Sequence, residues 1–278
     1  MLAIALALGS SACYGVSNFV GPQLAKRHTL VAVLVISQLA ALAACLAYVL
    51  ADRGAPLSAP DTLVAFLAGA GNAGGLIGFY KAAELGPLSV AAPIGALGAI
   101  VPVAWGLLGG ESLRSLEAVG LVLAIGGAAL ASRVVADEER IYRDPRASVI
   151  WAACSAVAFG VFLTSLPEVS DESRSWALLD ARIALVGLVL LWAGRRLGGI
   201  RAGRGWPVLT IPGLLLVAGT VLYTLAADHG QLSIVSVLGS LFPVFTVGLS
   251  VALLGERLTR TQAIGVASVL SGVVLIAA

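Results

Sequence analysis

The chain has 278 residues, of which 59% are hydrophobic and 12% are charged, and its mean hydropathy is +1.00. Because a soluble domain has about 25% charged residues, this composition excludes an ordinary soluble fold. The formal net charge is only +2, without the basic excess that covers a nucleic-acid backbone, so we expect no nucleic-acid partner.

Long apolar runs, separated by charged or Gly/Pro-rich breaks, predict an all-α integral membrane protein with ten transmembrane helices. A helix needs about 20 mostly apolar residues to cross a bilayer. The predicted spans are 2–22, 29–51, 61–80, 88–109, 115–133, 147–167, 175–193, 206–227, 231–253 and 260–278. The three cysteines lie inside these runs, where a thiol packs as a small hydrophobe, so they predict neither a disulfide nor a metal site.

The first two spans carry polar side chains that predict an inward-facing surface. Ser11, Tyr14 and Asn18 follow the spacing i, i+3, i+7 and share one face of the first span. Gln38 lies within the second span. Because polar residues in a membrane helix usually face the bundle interior or a water-filled cavity, we predict Tyr14, Asn18 and Gln38 as substrate-binding residues.

The third span combines several glycines, in 69–78, with one amide, Asn72. Glycines four residues apart either allow close helix packing or form a flexible stretch along a cavity. An amide in lipid is costly without a partner, so Asn72 is predicted to bind substrate. Three aromatic residues have two interpretations each: Tyr80 and Tyr223 stack on a ligand or anchor a span end, and Trp105 forms a cavity wall or faces lipid.

Asp180 and Arg182 are the ionisable residues well inside a predicted span. Two positions apart, they point to different faces of the helix and do not form an intrahelical pair. Either both reach the membrane interface from the first turns of the seventh span, or Asp180 is a proton-coupling site. Apart from Asp180, the spans offer no buried carboxylate to hold a permanent cation, which favours neutral or zwitterionic substrates.

The two halves of the sequence resemble each other. A shift of 144 residues aligns Gly69 with Gly213, Gly75 with Gly219 and Gly95 with Gly239, and a shift of 145 aligns Gly15 with Gly160. The repeat is five spans long, and duplication of an odd number of spans places the copies in opposite senses. We predict two inverted repeats, 1–133 and 147–278, joined by a charged linker loop, 134–146, and working by alternating access.

Acidic residues that follow spans are predicted gate residues. Glu84 aligns with Asp228, and Glu111 aligns with Glu256. No motif for a nucleophile, a metal or a phosphate is present, and His28 and His229 fall in predicted loops, so we expect no catalytic residues, metal or cofactor. A channel or scaffold without carrier activity is the alternative function.

Positive charges indicate the orientation, because Lys and Arg prefer cytoplasmic loops. The 17 Lys and Arg residues lie in loops after odd-numbered spans except for Arg53, Arg114, Arg174 and Arg182. This bias predicts that both termini lie outside the cell.

The sequence Leu-Leu-Gly-Glu at 253–256, its looser partner Leu-Gly-Gly-Glu at 108–111 and the Ala-rich, Pro-containing runs before each resemble the EamA family of the drug/metabolite transporter superfamily. The resemblance covers nearly the whole chain. It implies a multi-pass protein of the cell (inner or plasma) membrane that moves small metabolites, such as amino acids, as an exporter or exchanger, and it leaves a homodimer open. Tyr14-Gly15 departs from the family's Trp-Gly pair.

Overall fold

The computed structural model describes residues 1–25, 27–85, 94–95, 97–131, 144–194, 206–254 and 260–277, and these residues form helices without any β-strand. The helices, numbered in chain order, are α1 (Leu2–Ala25), α2 (Leu30–Asp52), α3 (Ala59–Leu85), α4 (Ile100–Leu108), α5 (Ser115–Ala131), α6 (Pro145–Ala193), α7 (Ile211–Ala227), α8 (Leu232–Gly239), α9 (Phe242–Leu254) and α10 (Arg260–Ala277). Short 3-10 turns precede α4 and α7. Most of the predicted linker loop, 134–146, lies outside the described residues.

Within the part of the chain that the structure describes, five apolar stretches are long enough to cross a membrane: Leu2–Gly21, Val31–Asp52, Ala59–Phe79, Arg146–Ala193 and Trp206–Ala227. The fourth has 48 residues, and a straight helix of that length would measure about 72 Å, more than twice the hydrocarbon thickness of about 30 Å. Its backbone leaves the helical conformation at Ser173, with φ −157° and ψ 99°. The helix α6 therefore consists of two arms, 145–172 and 174–193.

The outer surface of the bundle is apolar. Large side chains such as Leu50, Leu63 and Leu191 are 69%, 68% and 78% exposed. Such a surface is unfavourable in water and suits the hydrocarbon of a bilayer.

The helices of the two halves pack against each other in a reciprocal pattern. Helix α1 packs against α7, and α3 packs against α6. Helix α2 contacts both α6 and α7, α4 contacts α8, and α5 packs along α10. The core of the bundle is therefore built largely from contacts between the first half of the chain and the second.

Two glycines permit the closest of these contacts. Gly69 in α3 lies against the carbonyl group of Ala181 in α6, and Gly213 in α7 lies against the carbonyl group of Ser37 in α2. A Cβ atom at either glycine would overlap the facing carbonyl oxygen. Small residues thus bring helix backbones together here, the packing interpretation of the glycine-rich segments.

One apolar helix is interrupted in the middle of the bundle. Helix α8 ends at Gly239, and α9 begins at Phe242, one residue before Pro243. The break frees backbone carbonyls, and the Ser11 hydroxyl of α1 donates hydrogen bonds to Leu238 O at 2.5 Å and Gly239 O at 2.8 Å. A side chain of the first half of the chain therefore compensates the interrupted helix, as buried non-helical backbone in a membrane requires.

Candidate functional site

A central cavity lies where the helices of both halves meet, and it encloses about 1140 Å³ of space, including its mouth. Its wall is formed by side chains of α1, α2, α3, α6 and α7, together with the interruption at 239–242. A concave site between the helices of a bundle is a usual place for a small organic molecule to bind.

Four of the polar residues of this cavity form two hydrogen-bonded pairs. Arg182 Nη1 donates to Gln38 Oε1 at 2.8 Å, and both side chains are buried. The oxygens of Tyr14 and Thr220 are 3.0 Å apart. Because the Thr220 hydroxyl also donates to the Leu216 carbonyl at 2.7 Å, the Tyr14 hydroxyl is the donor to Thr220.

The remainder of the wall is mainly apolar and aromatic. Phe79, Phe159, Phe162 and Phe242 line it, with Leu185 between them. The cavity thus offers a few polar groups within a hydrophobic enclosure, the usual design of a site that orients a small molecule.

Of the residues predicted from sequence to bind substrate, Tyr14, Asn18, Gln38 and Asn72 line this cavity. They come from α1, α2 and α3, and the tertiary fold brings them together. Asn72 also borders a small extension of the cavity beside Arg182.

The other predicted aromatic residues occupy different places. Tyr223 is fully buried beside the cavity, where its hydroxyl donates to Leu163 O at 2.6 Å and its ring packs on Gly239. Trp105 does not line the cavity, because its side chain faces outward, 54% exposed, and its Nε1 donates to Glu168 Oε1 at 2.8 Å. Its place corresponds to the outward-facing interpretation of this residue.

Asp180 is buried but does not line the cavity. It is 8% exposed, and the Thr62 hydroxyl is its hydrogen-bonding partner. Arg182, two residues further, is 4% exposed. Both side chains are thus held inside the protein, and they point in different directions, as their spacing predicts.

One end of the bundle is closed by polar contacts between elements. We call it the Gly54 end, formed by 52–58, 109–114, 168–176 and 228–233. The carboxylate of Glu111 accepts hydrogen bonds from Leu232 N at 2.7 Å and Ser233 N at 3.2 Å, and also from the Ser233 hydroxyl. A side chain that follows α4 thus caps the N-terminus of α8, where its negative charge is favourable.

The break in α6 supplies further contacts at the Gly54 end. Arg174 forms an ion pair with Asp228 and donates from Nε to the Thr224 hydroxyl at 3.1 Å. Ser175 Oγ donates to Asp52 Oδ2 at 2.7 Å, and Trp176 Nε1 donates to Gly54 O at 3.0 Å. The predicted gate residues Glu111 and Asp228 therefore both join separate elements here.

Three predicted site residues lie beyond what the structure describes in full. Tyr80 and Glu84 are part of α3, but their side chains lie outside the described residues. Glu256 lies wholly outside them.

The contacts across the cavity repeat in the register of the sequence alignment. Gly75 packs on the Phe159 ring, and the aligned Gly219 packs on the ring of Tyr14, the residue aligned with Phe159. The bonded residues Gln38 and Arg182 are themselves 144 positions apart.

Of the four residues in the two hydrogen-bonded pairs, Arg182 and Thr220 were not assigned to the cavity from the sequence. The sequence does contain an indication that Arg182 faces the cavity, because the shift of 144 aligns it with Gln38, which was predicted to bind substrate. Thr220 aligns in the same way with Leu76, which also lines the cavity.

An apolar helical bundle with a central cavity of mixed chemistry is typical of a multi-pass membrane protein that handles small molecules. The model of the EamA-like transporter family matches residues 1–133 and again 146–278. The chain therefore belongs to the EamA-like transporter family, in the drug/metabolite transporter superfamily, and is a membrane transporter of a non-enzymatic class.

Two individual proteins are similar to parts or all of the chain. The uncharacterized protein MJ1333.1 of Methanocaldococcus jannaschii is 39% identical over 66 residues, which cover 24% of this chain and 48% of that relative. The match thus spans about half the length of the curated relative. A solved crystal structure is similar to this chain with a TM-score of 0.80 at 17% identity, and the match covers 98% of this chain and 95% of the other. This similarity concerns the fold.

Proposed function

We propose that the protein is a secondary-active transporter, an exporter or exchanger, that moves small neutral or zwitterionic metabolites across the cell (inner or plasma) membrane by alternating access. The observation that carries the proposal is the central cavity, which is lined by both repeats and contains a bonded pair of aligned residues, Gln38 and Arg182. Carriers built from inverted repeats bind substrate at such an interface, near the middle of the membrane.

The proposal includes ten spans arranged as two inverted five-span repeats. In it, the two arms of α6 are separate spans, the turn Leu97–Ala99 and α4 belong to one interrupted span, and α8 and α9 belong to another. The packing of α1 on α7 and of α3 on α6 supports the inversion, since each pair joins the first span of one repeat to the third span of the other.

Alternating access requires contacts that close one side of the cavity and can open. The Glu111 cap of α8 and the Arg174–Asp228 ion pair at the Gly54 end are suitable, because each joins elements that must separate. In the proposed orientation, which the charge bias of the loops supports, this end lies outside the cell. In this arrangement the substrate enters from the cytoplasm, between the ends of α1, α2 and α7.

Asp180 is the proposed site of proton coupling, because it is a buried carboxyl group in a membrane helix with a neutral partner, Thr62. Asp180→Asn keeps the size of the side chain and removes its titration. We expect the variant to lose the dependence of transport on a pH gradient. Full transport with an unchanged pH dependence would exclude coupling through Asp180.

The experiment that tests the function is mass spectrometry of medium and cell extract from cells that overexpress the intact protein or Asn72→Ala at equal membrane levels. We expect at least one metabolite to change its distribution only with the intact protein. Leu191→Ala is the control, because Leu191 is 78% exposed on the outer surface. Profiles that are identical with and without the intact protein would contradict carrier activity and favour a channel or scaffold.

A further inference from the structure

We propose that Arg182 binds the carboxylate of the substrate, and that the substrates are small monocarboxylates with an apolar body, amino acids among them. This inference rests on the proposed transport function and specifies the group by which the substrate is held; it covers zwitterionic amino acids and extends the proposed class to singly charged acids. It starts from a buried guanidinium group that lines the central cavity.

The charge of Arg182 has no counter-charge among the residues that the structure describes. The ion pairs present there are Arg114–Glu117 and Arg174–Asp228, and neither involves Arg182. The near neighbour Asp180 turns to Thr62 instead. Among the described residues, the hydrogen-bonding partner of the guanidinium is the Gln38 amide, a neutral group.

A cationic side chain inside a membrane protein is expensive, and one that persists there usually marks a substrate or ion pathway. Arginine stays charged, since it cannot be deprotonated in proteins. An anionic group of the substrate would supply the missing charge, at the point where the cavity wall is most polar.

The neighbouring amides have the polarity that a carboxylate needs. A guanidinium group only donates, so the Gln38 atom that it contacts is the oxygen, and the Gln38 Nε2 group remains as a donor. Asn72 lines the same small extension of the cavity as Arg182 and offers a second amide donor. The planar guanidinium, with its fork of N–H groups, matches a carboxylate in geometry.

The single positive charge of Arg182 balances the single negative charge of a monocarboxylate. A doubly charged phosphate would keep a net negative charge. The rest of the wall, with Phe79, Phe159, Phe162 and Phe242, is suited to an apolar body. This combination selects molecules with one carboxylate at one end and hydrocarbon at the other.

The test uses full-length protein in cells grown on a ¹³C-labelled carbon source, so that the labelled metabolite pool of the host is the probe. Enrichment or depletion of each metabolite in the medium is measured for the intact protein, Arg182→Gln, Arg182→Lys and the control Arg146→Gln, at matched membrane levels. Arg146 is an exposed arginine at the start of α6.

We expect every metabolite that the intact protein moves to carry a carboxylate. We expect Arg182→Gln to lower its transport by at least about tenfold, because the charged partner is lost from a buried pair. Arg182→Lys should retain part of the rate, since it keeps the charge without the fork, and Arg146→Gln should behave as the intact protein does.

A second measurement separates binding from a structural role. The intact protein should prefer a transported acid over its amide as a competitor by at least about tenfold, and Arg182→Gln should lose that preference. Either of two results would overturn this inference but leave the proposed function intact. One is transport of metabolites without a carboxylate, and the other is transport by Arg182→Gln within about twofold of the intact protein. If the intact protein moves no metabolite, the proposed function fails and this inference fails with it. The chemical class of the metabolites decides the matter even if the variants do not fold.

Discussion

The two repeats make the same backbone contacts but carry different chemistry. Gly69 meets the Ala181 carbonyl, and the aligned Gly213 meets the carbonyl of Ser37, the residue aligned with Ala181. Only glycine fits at these two contacts, so both copies retain it. The comparison shows that the same steric constraint acts on the helix backbones of both halves, and we call this common backbone packing the shared frame.

The side chains that face the cavity are under no such constraint, and they differ between the repeats. Asn72 aligns with Leu216, and Gln38 aligns with Arg182. Two arginines facing each other at the latter position would repel, whereas glutamine and arginine form a hydrogen bond. The cavity lining is therefore asymmetric within a symmetric frame.

The largest effect is expected where the shared frame is broken. Gly213→Ala or Gly69→Ala forces two helix backbones apart, and we expect each to lower the free energy of unfolding by about 1–3 kcal/mol. Thermal unfolding in detergent and the yield of monodisperse protein measure this effect. Gly187→Ala is the matched control, because no atom lies within 4 Å of the Cβ it would add, and it should be neutral or stabilising by about 0.4–1 kcal/mol. Equal stability of all three variants would contradict the assignment of these contacts.

The next effect concerns the asymmetry of the site. Asn72→Leu gives both repeats the same apolar residue, and we expect transport to fall by at least about tenfold while the protein still folds, because a polar partner for the substrate is lost. Leu216→Asn, its counterpart on α7, should have a smaller effect, since it adds an amide without removing one. Transport of the metabolite identified by mass spectrometry measures both. A greater loss with Leu216→Asn would reverse the proposed roles of the two positions.

The helices were predictable because lipid constrains them strongly. Apolar length identified both arms of α6, with predicted limits at 167 and 175, whereas the helical arms extend to 172 and begin at 174. The difference arises because Glu168 and Asp171 are helical but polar, and hydropathy measures the apolar part of a helix rather than its hydrogen bonding.

The direction in which a side chain faces was predictable where the chemistry of that residue alone determines it. An amide in an apolar run, such as Asn72, is too costly to face lipid, so its inward direction followed from chemistry. A tryptophan side chain such as Trp105 is tolerated whether it faces lipid or a cavity. Its outward orientation therefore depends on the rotation of the helix and on its contact with Glu168. The role of Arg182 depends on its contact with Gln38, which is 144 residues away in the sequence. The sequence predicts this contact only if aligned residues of the two repeats are taken to lie close together in space.

A smaller effect is expected at the Gly54 end. The Arg174 and Asp228 side chains are 19% and 23% exposed, and a partly exposed ion pair contributes about 1 kcal/mol. We expect Arg174→Ala to favour opening of this end by about fivefold. The measurement is the rate at which a membrane-impermeant maleimide labels Leu216→Cys from outside, in a chain whose native cysteines are replaced by alanine.

The control for this prediction is Arg114→Ala. Arg114 lies directly before α5 and pairs with Glu117 in the first turn of that helix, so the pair does not join separate helices and its loss should leave the labelling rate unchanged. Asp228→Asn should act as Arg174→Ala does, and the double variant should add little, because both remove one interaction. Equal labelling of Leu216→Cys with and without Arg174 would show that the ion pair does not control access.

The smallest effect should come from making one cavity position alike in both repeats. Tyr14→Phe copies Phe159, its counterpart, and removes the hydrogen bond to Thr220 at 3.0 Å. The cost is about 0.5–1.5 kcal/mol in stability, because Thr220 keeps its bond to the Leu216 carbonyl. We expect transport to change by no more than about twofold, since the Tyr14 hydroxyl donates to Thr220 rather than to the substrate. A much greater loss of transport, at normal stability, would place that hydroxyl in contact with the substrate and shift the polar centre of the site from Arg182 toward α1.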